Sequence, residues 1–173
     1  MAQAKKVLMV IANDGFQDHE FWISFSVFHD AGLDITIAAG RKWECTWVFW
    51  AKTVADVELF FADASKYDMV VFIWWGWAYA QYFHDQNYLR LAKNAKKLWA
   101  ICIAPMIVSE SGVFNGKTVT GRDQDGVQKW FIEKNWWFRS EWPVVVCGNI
   151  VTWNGPDAAE EFAKKCIEVI NNW

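Results

Sequence analysis

The stretch Leu98–Gly112, "LWAICIAPMIVSESG", decides how the chain is read. Four apolar residues lead into Cys102, two more residues follow, and then comes Pro105. The continuous apolar run fits a strand covered on both faces. Pro105 just inside and Gly112 just past the next segment bracket a short helix. The whole is a strand handing over to a helix, with a thiol at the joint.

Working outward, the same alternation recurs. Strands are expected at Lys5–Ala12, Leu33–Ala39, Asp68–Trp74, Lys97–Cys102 and Lys117–Thr120. Helices are expected at Glu20–Ala31, Val57–Ser65, Ala78–Lys97, Pro105–Ser111, 124–135 and 156–171. Trp43–Val54 reads as a small hairpin or extended arm, and Val144–Cys147 pairs with Asn149–Thr152 around Gly148. Strands alternating with helices predict one α/β domain over residues 1–173: a mostly parallel sheet between two helical layers, with a small β-hairpin. In such a sheet ligands sit outside the carboxyl ends of the strands. Asn13–Glu20, 74–78 and Cys102–Pro105 therefore converge on one crevice.

Composition narrows the partners. The chain has 173 residues, 54% hydrophobic and 21% charged, with net charge -3. That is a foldable domain with no basic stripe, which argues against nucleic acid. The longest uncharged run, Met69–Phe83, is too short and mixed to span a bilayer, and the N-terminal run stops at Asn13 without a signal-peptide pattern. A cytoplasmic location is expected. The cysteines at 45, 102, 147 and 166 make neither a C-x-x-C pair nor zinc spacing, so free thiols and no metal are expected.

Ala100-Ile101-Cys102-Ile103-Ala104 has the small-x-nucleophile-x-small form of a nucleophile elbow. A thiol pointing out of the sheet at a helix N-terminus is expected to ionise more easily than a free cysteine. The N–H of Ile103, with one from Trp75 after the third strand, is placed to hold an oxyanion. A buried structural cysteine is the competing reading. Glu20 opens a helix near the same crevice. It is either a site carboxyl that interacts with the thiol or a carboxylate favoured at a helix N-terminus.

"KKVLMVIAND", "FQDHE", "AICIAP", "GVFNGKTVT" and "VVVCGNIVTWNGPDAAEEFAKK" together resemble the PfpI/ThiJ superfamily, also called the DJ-one family, nearly end to end. The resemblance implies a flavodoxin-like α/β/α sandwich and a dimer or higher homo-oligomer. It implies Cys102 as the elbow nucleophile and Glu20 as the site glutamate. Activities it implies are cofactor-free hydrolysis of methylglyoxal to lactate, removal of early glycation adducts, peptidase action, and oxidative-stress protection or chaperone action. The partners are then a small aldehyde or a glycated protein, with no cofactor.

The chain departs from that pattern in three places. Ile103 follows the cysteine where many members have histidine. Thr120-Gly121-Arg122-Asp123 has no histidine either; His19 and His84 are the auxiliary candidates nearest the crevice. A Cys–Glu pair can still attack an aldehyde, whereas peptide cleavage needs a proton donor for the leaving amine. Finally, Trp74, Trp75 and Trp77 surround a single Gly76 where the family has Gly-Gly, in a chain with 14 tryptophans. They read as an aromatic ligand platform, as substitutions made by design or selection that leave only the fold, or as misassigned letters. Trp74 and Trp75 are expected to crowd the crevice beside Cys102. Two functions follow: a glyoxalase or deglycase using Cys102 and Glu20, or a non-enzymatic redox sensor on the same sulfur.

Overall fold

The computed structural model describes residues 4–47, 52–74, 78–123, 126–134, 137–155 and 159–171. In chain order these residues form β1 (Lys6–Val10), β2 (Asp14–Phe16), α1 (Asp18–Asp30), β3 (Asp34–Ala39), β4 (Glu44–Trp47), β5 (Lys52–Val54), β6 (Val57–Glu58), β7 (Met69–Phe72), α2 (Gln86–Asn94), β8 (Leu98–Ile101), α3 (Ala104–Ser109), β9 (Thr118–Val119), α4 (Val127–Lys134), β10 (Phe138–Arg139), β11 (Val144–Cys147), β12 (Ile150–Trp153) and α5 (Ala159–Asn171). Short 3-10 turns lie at Ala64–Lys66 and Ala78–Gln81.

The central sheet runs β11-β12-β8-β7-β1-β3-β6. Every pairing in it is parallel except β11 with β12, the hairpin turned at Gly148 with φ +59°. β7, β8 and β12 are buried along their whole length. Their apolar runs are unbroken because both faces are covered. Register shows how. Val71 pairs with Trp99, and Phe72 with Ala100. Successive side chains point to opposite faces. Trp99 packs on Phe28 of α1 and Phe162 of α5, while Phe72 packs on Tyr88 of α2. The sheet therefore lies between helical layers, the expected α/β/α sandwich. β8 sits inside it, so a residue at its carboxyl end emerges between neighbours on both sides.

Four details differ from the sequence expectation. Val57–Ser65 is not a helix. Val57 and Glu58 add to the sheet beside β3, and the Arg90 guanidinium takes the carbonyls of Leu59, Phe60 and Ala62 at 3.0–3.2 Å. Those carbonyls point at a charged donor instead of up a helix. The long helix over Ala78–Lys97 is broken by His84, at φ +62°, and restarts at Asp85. The Asp85 carboxylate caps α2 by accepting from the N–H groups of Asn87 and Tyr88 at 2.8 and 3.0 Å. The fifth strand shrinks to β9, which pairs with β10 in a separate two-stranded sheet. The Asn13–Glu20 segment, expected only to line the crevice, also contains β2, which joins the hairpin of β4 and β5.

Candidate active site

Cys102 follows β8 directly and has φ +59°. For a residue with a β-carbon that left-handed geometry costs about 1–2 kcal/mol. Two backbone hydrogen bonds fix it. The Cys102 N–H donates to the Trp153 carbonyl at 2.8 Å, and the Arg122 N–H donates to the Cys102 carbonyl at 2.9 Å. Ala100 and Ala104 are fully buried, so only small side chains fit where strand and helix meet. Cys102 and His84 are the non-glycine residues held at positive φ among those described. The elbow that the sequence pattern predicted is thus formed.

Glu20 reaches this elbow from the first turn of α1. Gln17 caps that turn, its side-chain oxygen accepting from the Glu20 N–H at 3.0 Å. The Glu20 carboxyl has no exposed surface, and neither of its oxygens makes an aligned hydrogen bond to nitrogen or oxygen among the described residues. It meets the Cys102 thiol instead. Burial pushes the carboxyl up to about 8, against the opposing pull of the Cys102 hydrogen bond and the Arg122 charge. At pH 7 the neutral acid outnumbers the carboxylate by about tenfold.

The thiol differs from expectation in two respects. Its side chain is not turned out to solvent: Cys102 has 0% exposure. Its ionisation is harder than that of a free cysteine, not easier. Burial raises it first and the Glu20 charge adds to that, while Arg122 pulls the other way by charge and hydrogen bond. The following helix, α3, has only six residues and no side-chain cap at Ile103. So short a dipole does not offset complete desolvation.

Arg122 is the member that the sequence analysis does not single out, since there it stands only in a loop without histidine. The signal was there: a cation just beyond a strand that ends on the crevice side. The loop is held by Thr120, whose N–H donates to Thr152 Oγ1 at 2.8 Å and whose hydroxyl donates to the Ser140 carbonyl at 2.9 Å. Those bonds set Arg122, half-buried, against the elbow.

Of the oxyanion donors, Ile103 stands at the N-cap of α3, with no backbone acceptor for its N–H among the described residues. Trp75 lies outside the described residues, as do Gly76 and Trp77. His19 is exposed beside buried Glu20. His84 is also exposed, its Nδ1 3.0 Å from Glu110 Oε1 at the opposite end of α3 from Cys102. The structure brings together Cys102, Glu20 and the Ile103 N–H; it leaves both histidines outside. Trp74 does not form a wall of an open crevice. It is fully buried, edge-on to Tyr82 and Tyr88 at 4.4 and 5.4 Å. Among the described residues no three His, Cys, Asp or Glu side chains are grouped to hold a metal ion, and no helix is long and apolar enough to cross a membrane.

A parallel α/β sandwich with a strained cysteine after a central strand and a buried carboxyl against its sulfur defines a class of cysteine-elbow proteins. The model of the DJ-1/PfpI family matches residues 5–169, and the chain belongs to that family. It is 29% identical over 170 residues to Protein dj-1beta of Drosophila melanogaster, covering 94% of this chain and 88% of that one. It is 27% identical over 172 residues to the Bacillus subtilis chain named "Putative cysteine protease YraA", covering 95% and 98%. Among solved structures, the ThiJ/PfpI domain protein from Brachyspira murdochii superposes with a TM-score of 0.91 at 25% identity, covering 99% of both chains.

Proposed function

We propose that this protein is a cofactor-independent enzyme of the glyoxalase or deglycase type, with Cys102 as nucleophile and Glu20 as proton carrier. Family membership supports cysteine chemistry in general. The observation that favours aldehydes is the neutral Glu20 carboxyl facing the sulfur, while His19 and His84 are both exposed. Sulfur adds to the aldehyde carbon, the carbonyl electron pair moves to oxygen, and that oxygen takes the Glu20 proton. The carboxylate left behind removes the former aldehyde hydrogen and returns it to the adjacent carbonyl carbon, while the proton of the first carbon's hydroxyl passes to the adjacent carbonyl oxygen. A thioester results, and water cleaves it to the hydroxy acid and free thiol. The Ile103 N–H supports the oxygen where charge develops. Because the sulfur is fully covered, entry of substrate requires the surrounding side chains to part. The substrate is then a small aldehyde or an aldehyde adduct on protein, and the working form a homodimer in the cytoplasm. Lactate formation from methylglyoxal is the test: it disappears in Cys102→Ser, and turnover at the wild-type rate in that variant refutes the mechanism.

The protonated carboxyl also favours a second reading, a redox sensor, because its O–H can donate to an oxidised sulfur. Mass spectrometry after mild peroxide separates the two. Selective oxidation at Cys102 without aldehyde turnover supports the sensor. Equal oxidation of Cys45, Cys147 and Cys166 refutes it. Peptide cleavage has less support, since no imidazole stands where a leaving amine would need its proton.

A further inference from the structure

The elbow sulfur meets two charge-bearing side chains, Glu20 from α1 and Arg122 from the loop after β9. At neutral pH Glu20 is mostly uncharged. Arg122 is the cation that acts on the sulfur. Its place is set through the backbone, by the 2.9 Å bond from its N–H to the Cys102 carbonyl and by the Thr120–Thr152 bond two residues earlier.

We infer that Arg122 is a further catalytic residue: its guanidinium, held at the elbow by the bond from its own backbone N–H to the Cys102 carbonyl, carries the negative charge that forms on the sulfur before the carbon–sulfur bond is made. No imidazole is positioned for that task. The inference deepens the proposed function and rests on it for the identity of the carbonyl. The S–H bond breaks and its proton leaves to water. The sulfur pair forms the S–C bond, the π pair goes to oxygen, and Glu20 protonates that oxygen. Arg122 transfers nothing, because a guanidinium keeps its protons at any working pH. It lowers the energy of the anion in a site where burial makes anions expensive.

The test measures the thiol, not turnover. Iodoacetamide labelling of Cys102 is followed by peptide mass against pH in the full chain, for wild type, Arg122→Gln and Arg122→Lys. Any of these residues keeps the backbone N–H bond to Cys102, so the elbow is retained, and circular dichroism checks the fold. In Arg122→Gln the labelling midpoint moves up by at least about one pH unit, so labelling on the rising limb slows about tenfold. The plateau at high pH stays within about twofold. Arg122→Lys recovers most of the shift. If the Gln variant does not fold, Arg122→Met takes its place, with the same upward shift expected. An unmoved midpoint in the folded Gln variant overturns the assignment, and so does a Lys midpoint raised as far as that of Gln. So does a lowered plateau without a shift, which marks a packing role, and so does a wild-type Cys102 that never labels. A wild-type protein that forms no lactate, with the Arg122→Gln midpoint shift intact, would remove the aldehyde function and leave Arg122's role standing.

Discussion

Cys102 and Cys166 are both completely buried thiols, yet their surroundings have little in common. Cys166 lies in the middle of α5 among Phe162, Ala163 and Ile170. Its ionisation is suppressed by burial, and among the described residues no charged group acts on it. Cys102 is as deeply buried, but it sits at φ +59° with a carboxyl and a guanidinium on its sulfur. Burial by itself makes a cysteine inert. What distinguishes a site here is that the structure also carries a strained backbone and a buried ionisable carboxyl, both of which cost stability and neither of which a core needs.

The contrast is tested most severely by activity. Cys102→Ser lowers aldehyde turnover by at least about a thousandfold, while Cys166→Ser leaves it within about twofold; steady-state lactate production measures both. Equal losses would mean that both thiols act through packing.

The next effect is on stability against pH. The Glu20 carboxyl ionises at about 8 in the folded chain and near 4.5 when unfolded. The folded state therefore binds more protons between those values. Its stability from this group is fully present below about 4.5 and is lost as pH rises through about 8. Glu20→Gln removes that dependence and gains on the wild type by a few kcal/mol, to order of magnitude, at pH 8.5 relative to pH 5. Denaturant melts across the range measure it. Cys166→Ser keeps the wild-type slope, and a Glu20→Gln slope equal to wild type would place the carboxyl elsewhere.

The smallest effect sharpens the backbone half of the contrast. At position 102, glycine tolerates positive φ and alanine does not, so Cys102→Gly is more stable than Cys102→Ala by about 1 kcal/mol. At position 166, inside a helix, the order reverses by about the same amount. Paired urea melts of the four variants decide it. The same order at both sites would remove the strain from the elbow.

Much of this was legible in the chain. Unbroken apolar runs at Val7–Ala12, Met69–Trp74 and Leu98–Ile101 announced buried parallel strands, and Ala100 and Ala104 around Cys102 announced the elbow. The pairing of Glu20 with Cys102 follows from the family resemblance, since no spacing in the chain joins residues so far apart. Three things were not legible. Val57–Ser65 has helical spacing, but Arg90, some thirty residues on, takes its carbonyls. Trp74 followed a strand end where an open crevice was expected, yet Tyr82 and Tyr88 close around it. Arg122 was seen only as an absent histidine, since its partner lies twenty residues earlier and meets it through the turn after β9.

By itself, the amino-acid order determined which segments are strands and helices, and that a thiol stands where one becomes the other. Those properties depend on neighbours in sequence: hydrophobic period, small flanking residues, proline and glycine. Tertiary structure alone decided how that thiol ionises. Desolvation depends on what closes over the sulfur, and its charge balance on Glu20 and Arg122, which arrive from opposite directions along the chain. A helix end predicted from the local sequence favours the anion; the completed core opposes it more strongly, and only the packed protein shows which prevails.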